Sequence, residues 1–232
     1  MMRLDRYVSR SALISRSEAV DHIRRKHVRV DGIVINDPGY HLDETCEVSL
    51  NDNILVYEEY VYILLNKPAG VVTSTSDKLN KTVMDIIGSE RKGMSPVGRL
   101  DKDTEGLLLI TDNGRLAHNM LSPSKHVDKS YFVIPDHELC ESDIVILREG
   151  VDIGDDSKTL PAKAENFNEG IILTIHEGRY HQIKRMLETV DNRVVYLKRL
   201  SFGPLTLDET ISEPGQYRRL TAKEIQALSA WM

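Results

Sequence analysis

An aspartate, Asp101, stands between Gly98 and Gly106 and just ahead of Leu107, Leu108, Leu109 and Ile110. The apolar run reads as a buried strand, so the acid lies at a strand edge, on a turn from which a rigid scaffold aims a side chain into a cleft. That is a position suited to catalysis. The same charge-rich stretch, with Asp103 and Glu105 beside Asp101, also reads as a solvated loop or a hard-cation site, although no EF-hand spacing follows it.

Two further segments carry groups that chemistry could use. Lys129, Ser130 and Tyr131 open a strand, and residues 177–186 run from a strand through Gly178 into a helix. Helical spacing buries Ile183, Leu187 and Val190 on one side and leaves His181 and Lys184, three positions apart, as neighbours on another. Upstream, Lys67, Pro68, Ala69 and Gly70 form a turn cluster.

The elements that must hold these groups follow from apolar periodicity. Residues 61–65, 71–72, 131–134, 162–165, 171–175 and 194–200 read as strands, and residues 115–121, 141–149 and 181–190 as helices. Thr221 and Glu224 make a capping box for a last helix. Strands dominate and interleave irregularly, which predicts an α+β domain around a mixed, mainly antiparallel sheet with flanking helices. Near the start, Ser15 and Glu18 form another capping box, opening a helix whose Ala19, Val20, Ile23 and His27 can pack inward. Residues 28–30 and 33–35 flank Asp31 and Gly32, a type I′ hairpin signal.

With 232 residues, 41% hydrophobic and 28% charged, the chain fits one or two soluble globular domains, and no apolar run approaches membrane length. Arg3, Asp5, Arg6 and Arg10 interrupt any early apolar segment, so no signal peptide is expected and the cytoplasm is the default location. Cys46 and Cys140 lack zinc or disulfide spacing and are expected to be small core residues. The net charge of −6 is unevenly spread: residues 1–29 carry eight basic residues against three acids, leaving the remainder strongly acidic. A basic head on an acidic body points to a polyanion held at one end, because phosphate attraction is screened within about 10 Å.

Residues 3–56 resemble the S4 RNA-binding module, through Leu4, Asp5, Tyr7, Val8, Ser15, Arg16, Glu18, Ala19, Ile23, Val28, Val30, Asp31, Gly32 and Pro38. The resemblance implies a small helical and hairpin domain over residues 1–57 that offers a basic helix face to structured RNA. Arg3, Arg6, Arg16, Arg24, Arg25 and Lys26 are its candidate contacts. After a linker at residues 58–60, residues 61–232 are similar to the RNA pseudouridine synthases. Residues 98–106 with the leucines after them, the turn at Lys67, Pro68 and Gly70, and residues 177–186 carry the likeness. The pairing with an S4 module resembles the branch that modifies ribosomal RNA, most nearly the part acting on 16S ribosomal RNA, to which Leu160, Pro161, Ala162, Gly215, Tyr217, Arg218 and Leu220 add.

What the resemblance implies is an isomerisation without cofactor or metal. The bond from ribose C1′ to uracil N1 breaks, the base turns, and C5 bonds to C1′. Asp101 matches the catalytic aspartate, thought to attack the sugar or the base ring or to help form a glycal. A carboxylate working ionised in a water-poor pocket needs a cation at contact range, and Lys184 matches that partner, where many relatives have Arg. Tyr131 matches the aromatic on which the extruded base stacks, and its hydroxyl is a candidate for taking the C5 proton. Arg99 matches the arginine that enters the vacated space or grips the displaced backbone. Lys67 and Arg179 are expected near RNA, Lys67 in a structural or RNA-facing role, while Arg179, Arg185 and Arg199 fit phosphate contacts or scaffold pairs. For His181 a general-base role stands beside hydrogen-bonded support of the helix start, and the latter is favoured.

The implied substrate is uridine 516 of 16S ribosomal RNA in a small-subunit assembly intermediate, with the protein a monomer and no membrane partner. Three alternatives stand beside this. One is a sister synthase on 23S ribosomal RNA. A second is an S4-containing, ribosome-associated RNA-binding protein with an inert body. The third is a metal-dependent phosphoryl enzyme using Asp101, Asp103 and Glu105, but neither a GxGxxG loop nor a P-loop is present.

Overall fold

A computed structural model describes residues 1–43, 45–88, 91 and 93–232. The chain folds as two compact units, Met1–Val61 and Tyr62–Met232.

In the first unit the helices Leu4–Ser11 and Arg16–Arg24 pack over short strands. The capping box closes as expected: Glu18 N donates to Ser15 Oγ at 3.2 Å, and Ser15 N donates to the Glu18 carboxylate at 2.8 Å. Leu4, Val8, Ala19, Ile23, Val28, Val30, Leu42 and Val48 form the core. His27, expected inside, is exposed, because the helix ends before it and Lys26 turns the chain with φ +64°. Asp31 and Gly32 both have positive φ, as a type I′ hairpin requires, and join Val28–Val30 to Ile33–Val34.

The second unit is built on a sheet whose strands run in the spatial order Lys163–Phe167, Gly170–Ile175, Lys129–Pro135, Val194–Phe202, Glu105–Thr111, Tyr62–Lys67, Tyr217–Arg219. Ser95–Pro96 and Leu205–Thr206 add at its margins. Neighbours are antiparallel except Val194–Phe202 with Glu105–Thr111, which are parallel. The sheet is thus mixed and mainly antiparallel. Leu107, Leu108, Leu109 and Ile110 are fully buried, as are Ile63, Leu64 and Leu65, because these central strands are covered on both faces.

Register brings distant residues into one row. Tyr131 pairs with Arg199, Arg199 with Gly106, and Gly106 with Lys67. Gly106 is therefore a residue of close approach inside a strand, beyond its expected role of bounding a turn. A Cβ there would lie 2.2 Å from the Arg199 carbonyl oxygen, and its φ is +105°.

Residues 71–72 do not form a strand; Val72 makes a single bridge to Thr82. Thr82 caps the helix Val83–Ile87, which apolar periodicity does not reveal. The cysteines are not core residues: Cys46 is half-buried and Cys140 is exposed at the start of the helix Glu141–Glu149. Among the described residues no helix is long and apolar enough to cross a membrane.

Candidate active site

The loop carrying Asp101 is fastened from below by the turn at Lys67. Lys67 is fully buried, and its ammonium donates to the carbonyls of Thr104 at 2.8 Å, Pro68 at 3.0 Å and Lys102 at 3.4 Å. Gly70 N donates to the Lys102 carbonyl at 2.7 Å, and Thr73 Oγ1 donates to the Leu100 carbonyl at 2.7 Å. Gly98, with φ +77°, turns the chain into the loop. Of the two roles expected for Lys67, structural or RNA-facing, its full burial fits the structural one: the side chain braces the loop. Burial is the main force pushing its pKa down, to about 8, against the pull of Asp103, Glu105 and Asp101.

Above this brace lies a cleft of about 540 Å³ into which Asp101, Tyr131 and Lys184 all open, with Arg99, Lys129, Arg179, Tyr180 and His181 also on its walls. The three side chains expected to act together therefore share one hollow. Tyr131 is 7% exposed on its strand, Asp101 keeps 31% of its side chain accessible, and Lys184 comes from the helix Gln182–Glu188. Ile183, Met186 and Leu187 bury the other face of that helix and fix its position.

Lys184 serves two acids. Its ammonium lies 3.1 Å from Asp101 Oδ2 and donates to both Asp103 oxygens at 2.8 and 2.9 Å. Partial burial works against the charge of each partner and is outweighed by their pairing, so the Lys184 pKa lies above the usual ammonium value and that of Asp103 below the usual carboxylate value. Glu105 faces away from this cluster and accepts a 2.7 Å hydrogen bond from the Tyr196 hydroxyl. Burial, with the Glu105 carboxylate adding to it, raises the Tyr196 pKa. Asp101, Asp103 and Glu105 thus do not converge on a common point, and Lys184 stands where a cation would be held.

The sequence favours support of the helix start for His181 over a general-base role. Its imidazole Nε2 instead lies 3.4 Å from Asp101 Oδ1, on the carboxylate oxygen that Lys184 leaves free. The backbone at His181 is left-handed, φ +47°, and no side-chain cap is made there. Helical spacing sets His181 beside Lys184 but does not name Asp101 as their shared partner.

Lys129, which in sequence does no more than open a strand, also reaches the cleft wall. It donates to the Val127 carbonyl at 2.8 Å and lies 5.1 Å from the centre of the Phe202 ring. Burial first, and then Arg199, push its pKa down to about 8.

The arginines divide into two groups. Arg99 is exposed at the cleft, and its guanidinium has no hydrogen-bond or ion-pair partner among the described residues. Arg179 is tied to its own chain, donating to Glu177 at 3.0 Å and to the carbonyls of Ser157 and Lys158 at 2.6 and 2.8 Å, in keeping with the scaffold alternative expected for it. Arg185 pairs with Asp155, and buried Arg199 donates to the Leu107 carbonyl. Both are scaffold pairs.

In the first unit Arg3 and Arg16 converge on buried Asp5, each at 3.0 Å. Burial acts to raise the Asp5 pKa, but these two partners hold it below the usual range. Arg6, Arg24, Arg25 and Lys26 are exposed.

Comparison with known proteins finds one family match in each unit, short of its full extent. The family described as RNA pseudouridylate synthase matches residues 61–189, and the S4 domain matches residues 2–48. The chain is 44% identical to an uncharacterised RNA pseudouridine synthase of Bacillus subtilis, covering 98% of each chain. It is 37% identical to a ribosomal small subunit pseudouridine synthase A of Haemophilus influenzae, over 98% of this chain and 99% of that one. A crystal structure of a pseudouridylate synthase, 36% identical, aligns with a TM-score of 0.69 over 98% of this chain and 100% of that chain.

Proposed function

The chain belongs to the RNA pseudouridylate synthase family, with an S4 domain at its start, and on that premise we propose that it converts uridine 516 of 16S ribosomal RNA to pseudouridine through Asp101. It is an RNA pseudouridine synthase, an isomerase. The observation that carries the assignment of Asp101 is the Lys184 ammonium, 3.1 Å from its carboxylate, inside a cleft walled by Tyr131.

In this reading the target uridine leaves its stack, at a cost of roughly a few kcal/mol, and lodges against the Tyr131 ring, which returns about 1–3 kcal/mol. The Asp101 carboxylate is the nucleophile, held beside the Lys184 ammonium. Its oxygen bonds to C1′ as the glycosidic electron pair departs with the uracil, the base turns, and C5 bonds to C1′ as the bond to Asp101 breaks. The proton on C5 is then lost to the Tyr131 hydroxyl, which passes its own proton on to water as it accepts, and N1 takes one up, so the product is an isomer and Asp101 is released unchanged. Arg99 enters the space the base vacates.

The S4 unit, residues 1–57, anchors the RNA through Arg6, Arg24, Arg25 and Lys26. A linker at residues 58–60 precedes the catalytic residues 61–232. The substrate is 16S ribosomal RNA within an assembling small subunit, met by a monomer in the cytoplasm; the names of the small-subunit relatives support this target.

The test is to map pseudouridine in ribosomal RNA from cells with and without the gene. A single 16S uridine unmodified in the deletion is the expected result. Loss of a 23S site with 16S unchanged contradicts the proposed target.

A further inference from the structure

One aromatic ring at the mouth of the cleft has no part in the reaction above. Tyr180 is 76% exposed although it lies next to the residue that touches Asp101. Its ring stacks on the His181 imidazole, with centroids 3.9 Å apart and planes 15° from parallel. With one face against His181, that exposure puts the opposite face in water.

The ring is presented on a fixed backbone. The Tyr180 carbonyl accepts from Arg185 at 3.0 Å, Arg179 N donates to the Gln182 side chain at 3.0 Å, and Gln182 N donates to the Arg179 carbonyl at 3.2 Å. His181 adds a left-handed φ uncommon outside glycine. An exposed aromatic face held in place at the edge of an RNA site is suited to a second flat ring, since every nucleobase has a π-face and stacking tolerates any sequence. Arg99, exposed on the same cleft, supplies positive charge for the phosphates of that strand.

We propose that Tyr180 is a stacking platform for the nucleobase adjoining the target uridine, adding one layer to the His181–Tyr180 pair. Tyr131, nearly buried within the cleft, takes the target, and Tyr180, at the opening, takes its neighbour. The proposal rests on the RNA-site reading of this cleft. Tyr180 is a positioning residue: holding the flanking nucleotide fixes where the extruded uridine enters.

The experiment uses the RNA whose uridine the unsubstituted protein isomerises, with 2-aminopurine placed on either side of that uridine or at a distant position. Binding is followed in Asp101→Asn protein, which carries Tyr180, Tyr180→Phe or Tyr180→Leu. Fluorescence at one adjoining position is expected to be quenched by the Tyr and Phe forms but not by Leu, with the distant position unaffected. In protein with Asp101 intact, Tyr180→Leu is expected to raise KM for RNA roughly 5- to 100-fold with a much smaller change in kcat, and Phe to restore it. Equal quenching, affinity and KM for Tyr and Leu overturn the stacking role, as does a Phe form that behaves like Leu. Absence of isomerisation by the unsubstituted protein on any ribosomal RNA overturns the RNA-site reading instead.

Discussion

The shortest contacts of Lys184 are with Asp103, whose two carboxylate oxygens accept from its ammonium at 2.8 and 2.9 Å, while Asp101 is third at 3.1 Å. The side chain of Asp103 is 72% exposed, so its pair is screened by water and is weak on its own. Its consequence is geometric: a bidentate hold on the ammonium sets the position from which Lys184 reaches Asp101.

Replacing Lys184 with Met is therefore expected to lower turnover roughly hundredfold or more, since it removes a positioned charge from a partly dry site. Lys184→Arg should retain most activity, because a guanidinium supplies the same charge in a different shape. Asp103→Asn should cost far less than Lys184→Met. Steady-state rates for the three variants check this ordering, and a larger loss from Asp103→Asn would move the essential acid from position 101 to 103.

Burial of Lys67 gives a stability signature. Its folded pKa of about 8 lies below the ordinary value of 10.5, so between those pH values the unfolded chain keeps a proton that the folded chain has released. Stability rises with pH wherever the unfolded state binds more protons. The wild-type protein should thus gain on Lys67→Met as pH climbs from 8 to 10, by up to about 1 kcal/mol per pH unit. Urea denaturation at several pH values measures the difference, and parallel profiles would contradict it.

Gly106→Ala is expected to destabilise the protein by roughly 3 kcal/mol or more, because its Cβ would press on the Arg199 backbone. Thermal unfolding checks this, and a near-native Tm would show that the two parallel strands can part without loss.

Neutralising Arg24, Arg25 and Lys26 together to Gln should weaken RNA binding and reduce its salt dependence by about 0.7–0.9 in log–log slope for each phosphate left without its cation. These side chains are exposed. Arg3 and Arg16 serve as the contrast, because they hold Asp5 and their loss should lower stability. An unchanged slope for the Gln variant would remove this helix end from the RNA anchor.

Much of the arrangement is legible in the sequence. Asp101, Tyr131 and Lys184 fall on a loop, a strand and a helix whose apolar partners have clear spacing, and all three open into one cleft. The elements that escape such a reading, such as Met2–Arg3, His41–Leu42 and Ser95–Pro96, are two residues long and have no period to detect. Lys67 escapes for another reason: a lysine is ordinarily exposed, and only a cage of three carbonyls, two of them from the distant Asp101 loop, makes its burial tolerable. His181 reaches Asp101 through a left-handed backbone that no spacing rule anticipates. Glu105, one residue ahead of Gly106, groups with Asp101 and Asp103 by proximity in sequence, yet strand pairing brings it to Tyr196.

The most direct test of the central claim is tritium release from ribosomal RNA labelled at uracil C5, comparing the wild-type protein with Asp101→Asn. The substitution keeps the shape of the side chain and removes its charge. Release by the wild type, with release by the variant at background and RNA affinity largely kept, is the expected result. Substantial release by Asp101→Asn would show that the reaction does not run through this carboxylate.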